Sequence, residues 1–145
     1  MIKQGNVVTA LLNGEVDYMI HCVNGQNVMG SGVALEVKNR VPLAYAVYMD
    51  KTPVLGDFTE GGNVINLCAQ WYYGTYGPYY AAYKRQLDYD ALVSGLSKVK
   101  DRFGVDKTYG LPYKFCSDRA GGDWEVVQKI VENILPNVVW YKLGE

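Results

Sequence analysis

Residues 17–34 read DYMIHCVNGQNVMGSGVA, and the rest of the chain is understood outward from them. Tyr18-Met19-Ile20, continued by Cys22 and Val23, is a short and partly β-branched apolar run, the pattern of a buried strand. Asn24-Gly25-Gln26-Asn27 breaks it with residues that tolerate turn and left-handed conformations. Gly30-Ser31-Gly32 follow, and residues 33–38 begin an amphipathic helix. A strand that passes through glycines into a helix start offers an anion unpaired amides and the positive end of the helix dipole. The spacing fits neither a dinucleotide fingerprint nor a Walker loop, so tight turns made of glycine for steric reasons alone remain an alternative reading.

A second stretch repeats this grammar. FCSDRAGGDW, residues 115–124, joins an apolar strand to a helix for which Asp123 is the expected N-cap. Two such loops side by side suit a diphosphate, each giving backbone amides to one phosphate.

Between them the pattern alternates. Short strands are expected at 2–4, 18–23, 64–69, 107–111 and 138–143, with an edge strand at 57–60. Helices are expected at 33–39, 43–49, 89–103 and 124–135. Residues 7–12 read as a loop or a single helical turn, and 70–83 as a tyrosine- and glycine-rich loop. The apolar spacing at 89, 92, 93, 96, 99 and 103 is a helical stripe that Gly104 ends. Strands alternating with helices define an α/β fold with a mostly parallel or mixed sheet covered on both faces. In such sheets ligands sit at the carboxyl ends of strands, where 24–32, 70–80 and 114–122 all lie.

Composition narrows the function. The 145 residues, 49% hydrophobic and 20% charged, suit one globular domain spanning 1–145. Fourteen Lys and Arg against 15 Asp and Glu leave a net charge of −1, which argues against nucleic acid held by phosphate electrostatics. No long apolar span and no leader is seen, so a cytoplasmic protein away from membranes is expected. Cys22, Cys68 and Cys116 lack C-x-x-C spacing and His21 is the single histidine, so no metal or other cofactor is expected. Seven of the 13 tyrosines fall between 72 and 89, too dense for core filling alone.

With these pieces in hand, the chain resembles a macro domain, the ADP-ribose-binding module. It is most similar to the small Appr-1''-p processing branch, which includes stand-alone ADP-ribose 1''-phosphate phosphatases and phage-encoded relatives. Gly5-Asn6-Val7, HCVNGQNVMGSGVALEVK, INLCAQWYYG, LPYKFCSDRAGGDWEVV and VVWYKL carry the resemblance from end to end in the family's order. It implies a three-layer α/β/α fold with about six strands, a monomer, and ADP-ribose or a related nucleotide as partner. It also implies the binding residues. Asn6 with the backbone of Val7 stands where the family meets adenine, and Asn24 near the distal ribose. Gly30, Ser31, Gly32 and Val33 form the first phosphate loop; Ser117, Arg119, Ala120, Gly121 and Gly122 belong to the second. Tyr72 and Tyr73 stand where an aromatic covers the ribose or adenine, and Gln70 is among the expected ligand-binding residues.

The second loop departs from the family's usual I-G-C-G-L-A-G-G: Cys116 replaces a glycine and Asp118-Arg119 replaces Gly-Leu. Arg119 can hold a phosphate in bidentate fashion, and Asp118 can orient or deprotonate a water; a mutual pair on the loop rim is the plainer alternative. His21 stands where the phosphatase branch also carries histidine. With an ordinary value near neutrality it can act on a leaving oxygen or a water, although a lone histidine is also often a hydrogen-bonded core residue. His21 and Asp118 are therefore the expected catalytic pair. The lysine that some macro-domain glycohydrolases place after the middle strand is replaced by Ala69-Gln70-Trp71. The expected activity is hydrolysis of ADP-ribose 1''-phosphate. The alternatives are capture of an ADP-ribose-type nucleotide without turnover, and removal of ADP-ribose from a macromolecule.

Overall fold

The structure is a computed structural model describing residues 1–30, 32–72, 74–117 and 120–144. Its centre is β4 (Val64–Gln70), buried at all seven positions. An uninterrupted apolar strand of this kind requires cover on both faces. β2 (Tyr18–Asn24) lies parallel to it on one side, with His21 opposite Asn66. β3 (Phe58–Gly61) lies antiparallel on the other. Gly62 and Asn63 connect β3 to β4 with φ of +59° and +65°, the pair of positive values a type I′ turn demands.

β5 (Tyr109–Pro112), β6 (Val138–Lys142) and β1 (Ile2–Gln4) complete a six-stranded sheet ordered β1-β6-β5-β2-β4-β3, parallel except for β3. The mixed α/β architecture expected from the sequence is the one observed.

Strand alternation divides the core. Ile20, Ile65, Leu67 and Leu111 pack under α5 (Tyr89–Phe103) and α6 (Trp124–Ile134). Met19, Val23, Val64 and Cys68 pack under α1 (Val7–Leu12), α2 (Gly32–Arg40) and α3 (Pro42–Met49). Gly95 allows α5 to lie directly on β4, since a Cβ there would run into the Leu67 side chain.

Two expectations need correcting. Residues 7–12 form a true helix because Asn6 caps it: its side-chain oxygen accepts from Thr9 N at 3.0 Å. The tyrosine-rich loop contains α4 (Pro78–Tyr83), started by Pro78 after Gly77 at φ +98°. None of its residues is buried, so no apolar stripe betrays it.

On β6, Tyr141 is 5% exposed, and among the described residues its hydroxyl has no hydrogen-bond partner. A buried unpaired hydroxyl is unfavourable by about 1–3 kcal/mol. Tyr141→Phe is therefore expected to leave stability unchanged or raise it by about 1 kcal/mol in urea unfolding. A loss of that size would reveal a partner for the oxygen.

Candidate functional site

The site arises from the chain's path. β2 and β5 are neighbours, but α2 leaves β2 on one face and α6 follows β5 on the other. The carboxyl ends of the two strands therefore part, and a crevice opens between them. It has a volume of about 430 Å³, within the range of small-molecule sites.

Backbone hydrogen bonds join the three loops around it. Gly25 N donates to Gln70 O at 3.0 Å and Trp71 O at 3.1 Å, and Trp71 N donates to Gln86 O at 3.1 Å. Gln86 N and Leu87 N both donate to Ala120 O at 3.0 Å. The first glycine loop, the tyrosine loop and the second glycine loop are thus one connected rim.

Of the residues the sequence singled out, His21, Asn24, Gly30, Gly32, Val33, Gln70 and Ala120 line the cleft. Asn24 shapes the first loop from within. Its side-chain oxygen accepts from Gln26 N at 2.9 Å and Val28 N at 3.3 Å, and its amide donates to Val28 O at 2.8 Å. Tyr48 OH clamps the same residue through Asn24 O at 2.6 Å. Gly32 has φ +59° and nothing within 4 Å of where a Cβ would be, so its glycine serves conformation and access together. Helix geometry leaves the first amides of α2 without intrahelical acceptors. Gln70, at the end of β4, donates to Tyr72 O at 2.8 Å.

Asn6, Val7, Tyr72, Ser117, Gly121 and Gly122 do not line the cleft. Besides capping α1, Asn6 donates to both Glu36 oxygens at 2.9 and 3.0 Å, tying α1 to α2. The Val7 side chain is in the core. The Tyr72 ring packs on Tyr76, with centroids 5.2 Å apart. Ser117 Oγ donates to Phe115 O at 3.2 Å. Gly122 is glycine for packing, because a Cβ would stand 2.6 Å from Cys116 O. Gly121, at φ +76°, rests against Arg85. Ser31, Tyr73, Asp118 and Arg119 lie outside the described residues.

The expected loops 24–32 and 114–122 do reach the cleft, through Val28 among others and through 114–116; the sequence reading missed Cys22, Ala34, Pro112 and Tyr113 as cleft walls. The available signal was Pro112, which ends β5 and hands the following residues to the sheet edge. Lys114 is the one fully charged side chain lining the cleft among the described residues. Lys114 and Cys116 adopt φ of +60° and +58°, folding the second loop back on itself. Among those residues no three His, Cys, Asp or Glu side chains gather as metal ligands. No helix described is long and apolar enough to cross a membrane.

His21 differs from expectation in its ionisation. It is 2% exposed, and Nε2 lies 2.6 Å from Asn66 Oδ1. Asn66 Nδ2 donates to Ala44 O and Thr59 Oγ1, both at 3.0 Å, and a carbonyl can only accept. The amide orientation is thereby fixed, so His21 Nε2 carries the proton and Nδ1 is left as an acceptor. Burial drives the imidazole down from 6.5 to about 4, against the smaller opposing effect of Asn66. At neutral pH His21 is uncharged and has no proton to give as an imidazolium acid.

The sign of the linked stability follows. Between about 4 and 6.5 the unfolded chain binds a proton that the folded chain refuses. Stability is thus full above the unfolded value and falls with pH through this window. Urea unfolding is expected to lose about 2 kcal/mol from this residue between pH 7 and pH 5. His21→Gln should flatten that slope; an unchanged slope would show that His21 protonates freely in the folded protein.

No protein-family model matches the sequence, and no curated protein matches it. The backbone does have relatives among solved structures. A protein of unknown function from Bacteroides thetaiotaomicron is similar over 99% of this chain and 97% of its own, at 20% identity and a TM-score of 0.78. The macrodomain of Thermus aquaticus DarG matches over 100% and 99%, at 18% identity and a TM-score of 0.67. Thermosipho africanus DarTG, solved in complex with ADP-ribose, matches over 99% of this chain and 41% of its own, at 17% identity and a TM-score of 0.68. The class of fold is therefore that of the macrodomains.

Proposed function

We propose that the protein, acting as a monomeric macro domain, binds ADP-ribose or a close derivative in this cleft and hydrolyses it. The proposed substrate is ADP-ribose 1''-phosphate, and the products are ADP-ribose and phosphate. The observation that carries the reading is the cleft of about 430 Å³ at the switch point between β2 and β5, where glycines of the first loop meet Ala120 of the second. Glycine-bearing loops that lead into helix starts favour a diphosphate through backbone amides, and Lys114 supplies a positive charge at the wall. The ADP-ribose held by the Thermosipho africanus DarTG structure gives the reading further support.

In the reaction water attacks phosphorus, the bond from phosphorus to the ribose oxygen breaks, and that oxygen takes a proton. A neutral His21 with a free Nδ1 fits a group that holds the water or accepts its proton. Asp118 remains the proposed residue for orienting that water.

The same low value for His21 favours a second reading, a binder without turnover, because a base near 4 is weak. Calorimetric titration with ADP-ribose, followed by phosphate release from its 1''-phosphate on the same sample, separates the two. Binding with release supports the phosphatase, and His21→Ala should then lose turnover while keeping affinity. Binding without release supports the binder, and no binding removes both.

A further inference from the structure

A polar row crosses three neighbouring strands. His21 on β2 is in register with Asn66 on β4, and Asn66 is in register with Thr59 on β3. The row runs from the cleft, which His21 lines, to a second hollow of about 100 Å³, which Asn66 and Thr59 line. Its middle member is out of keeping with its strand. β4 is otherwise apolar from Val64 to Ala69, and Asn66 is 1% exposed at its centre. Stability alone does not ask for an amide there, because a buried polar pair replaced by two apolar side chains of similar shape costs little.

The amide sets a direction. With both donor hydrogens spent on Ala44 O and Thr59 Oγ1, Asn66 Oδ1 is what faces His21 Nε2. His21 then has one nitrogen left. Nδ1 has no hydrogen-bond partner among the described residues, and it is not sealed, since among them Tyr141 Oη alone is both buried and unpartnered. An imidazole nitrogen that can only accept repels the lone pairs of a phosphate oxygen and attracts an O–H.

We propose that Asn66 is a positioning residue for the hydrolysis proposed above, an inference that rests on that reading. Through Oδ1 it keeps the His21 proton on Nε2, so that Nδ1 meets the attacking water as an acceptor. The phosphate is left to Lys114, across the cleft lining, and to the loop amides. Nδ1 holds the water by one O–H, which leaves a lone pair of the water oxygen for phosphorus. As the new P–O bond forms and the bond to the ribose oxygen breaks, one water proton stays with the phosphate and the other ends on the ribose oxygen. His21 emerges unchanged. An imidazole that burial holds at about 4 is a weak base, and holding a water asks for no stronger one. Without the amide, nothing keeps the proton from moving to Nδ1. An N–H there would take the lone pair that phosphorus needs.

His21 is the single histidine, so nuclear magnetic resonance of the nitrogen-labelled full chain reads its two ring nitrogens directly. At neutral pH Nε2 should resonate as the protonated nitrogen and Nδ1 as the bare one. Asn66→Leu keeps the size and removes the acceptor, and the hollow gives water room to reach Thr59. That variant should carry the proton wholly or partly on Nδ1. Its phosphate release from ADP-ribose 1''-phosphate should fall about tenfold or more while ADP-ribose affinity holds. Asn66→Asp, which keeps an acceptor, should keep Nε2 protonated, and it serves as the second variant should the leucine chain not fold. A bare Nε2 in the wild type or in Asn66→Asp overturns the inference. So does an Asn66→Leu spectrum like that of the wild type, or full release from a variant whose proton has moved. A wild type that releases no phosphate overturns the hydrolysis, and this role with it, before any variant is made. A wild type that does release it, with a displaced proton that changes nothing, overturns this role alone.

Discussion

Gly30→Glu is expected to weaken ADP-ribose binding by at least a hundredfold with the fold retained. Gly30 lines the cleft, its φ is not positive, and a Cβ there would meet only Val28 Cγ1 at 3.7 Å. A side chain therefore enters open space rather than the core. Its carboxylate would stand near the amides of the first loop, where the proposed diphosphate sits. Two like charges about 5 Å apart at an effective dielectric near 20 repel by about 3 kcal/mol, which is two orders of magnitude in affinity. Gly30→Gln has the same bulk without the charge and should bind more tightly than the glutamate variant. Calorimetry in low salt with thermal unfolding of both variants checks this. Equal losses would mean obstruction alone, and no loss would put the phosphates elsewhere.

The second large effect is on stability. Gln86 is 1% exposed, and its side chain holds the tyrosine loop together. Nε2 donates to Gly74 O at 2.5 Å and Tyr76 O at 2.6 Å, while Oε1 accepts from Tyr72 N at 3.3 Å. Gln86→Ala strands two carbonyls and an amide, and about 2–4 kcal/mol of stability should go with them. Residues 72–77 should become the first chymotrypsin target, and the Gln86 backbone links to Trp71 and Ala120 should pass the disturbance to both cleft walls. Urea unfolding and timed proteolysis measure this. A cost under about 1 kcal/mol would mean that the loop keeps its shape through its ring contacts alone.

Gln86 also marks where the sequence stops being informative. Its partners are main-chain atoms of Tyr72, Gly74 and Tyr76, and a backbone amide or carbonyl carries no residue identity, so no side-chain pattern predicts them. The parts that were legible had a period or a chemical cap. The run at 64–69, the stripe from Tyr89 to Phe103 and the cap at Asp123, whose side chain accepts from Glu125 N and Val126 N, all stand as expected. The gathering of three loops at one edge was legible as well, because each follows a strand. The ionisation of His21 was not, since it depends on how completely α1, α2 and α3 seal that face. Nor was the part of the cleft wall at Pro112 and Tyr113, or the left-handed turn at Lys114 and Cys116, which no glycine announces. Glycine and turn patterns thus pointed to a backbone plan that solved structures under 25% identical share.

The position of β2 between β4 and β5 has a consequence for biosynthesis. One neighbour, β4, ends at Gln70, but the other begins only at Tyr109, and the Asp17 side chain waits for Thr108 N, 91 residues away. A ribosome that has released the first 70 residues has supplied β2, β3 and β4 with the three helices of one face. The opposite face, with Ile20, Ile65 and Leu67, stays uncovered until α5 emerges. Such a half-dressed sheet is prone to wrong partners. The cleft has only one wall at that stage, so a nucleotide can hold the finished sheet together but cannot guide its early assembly.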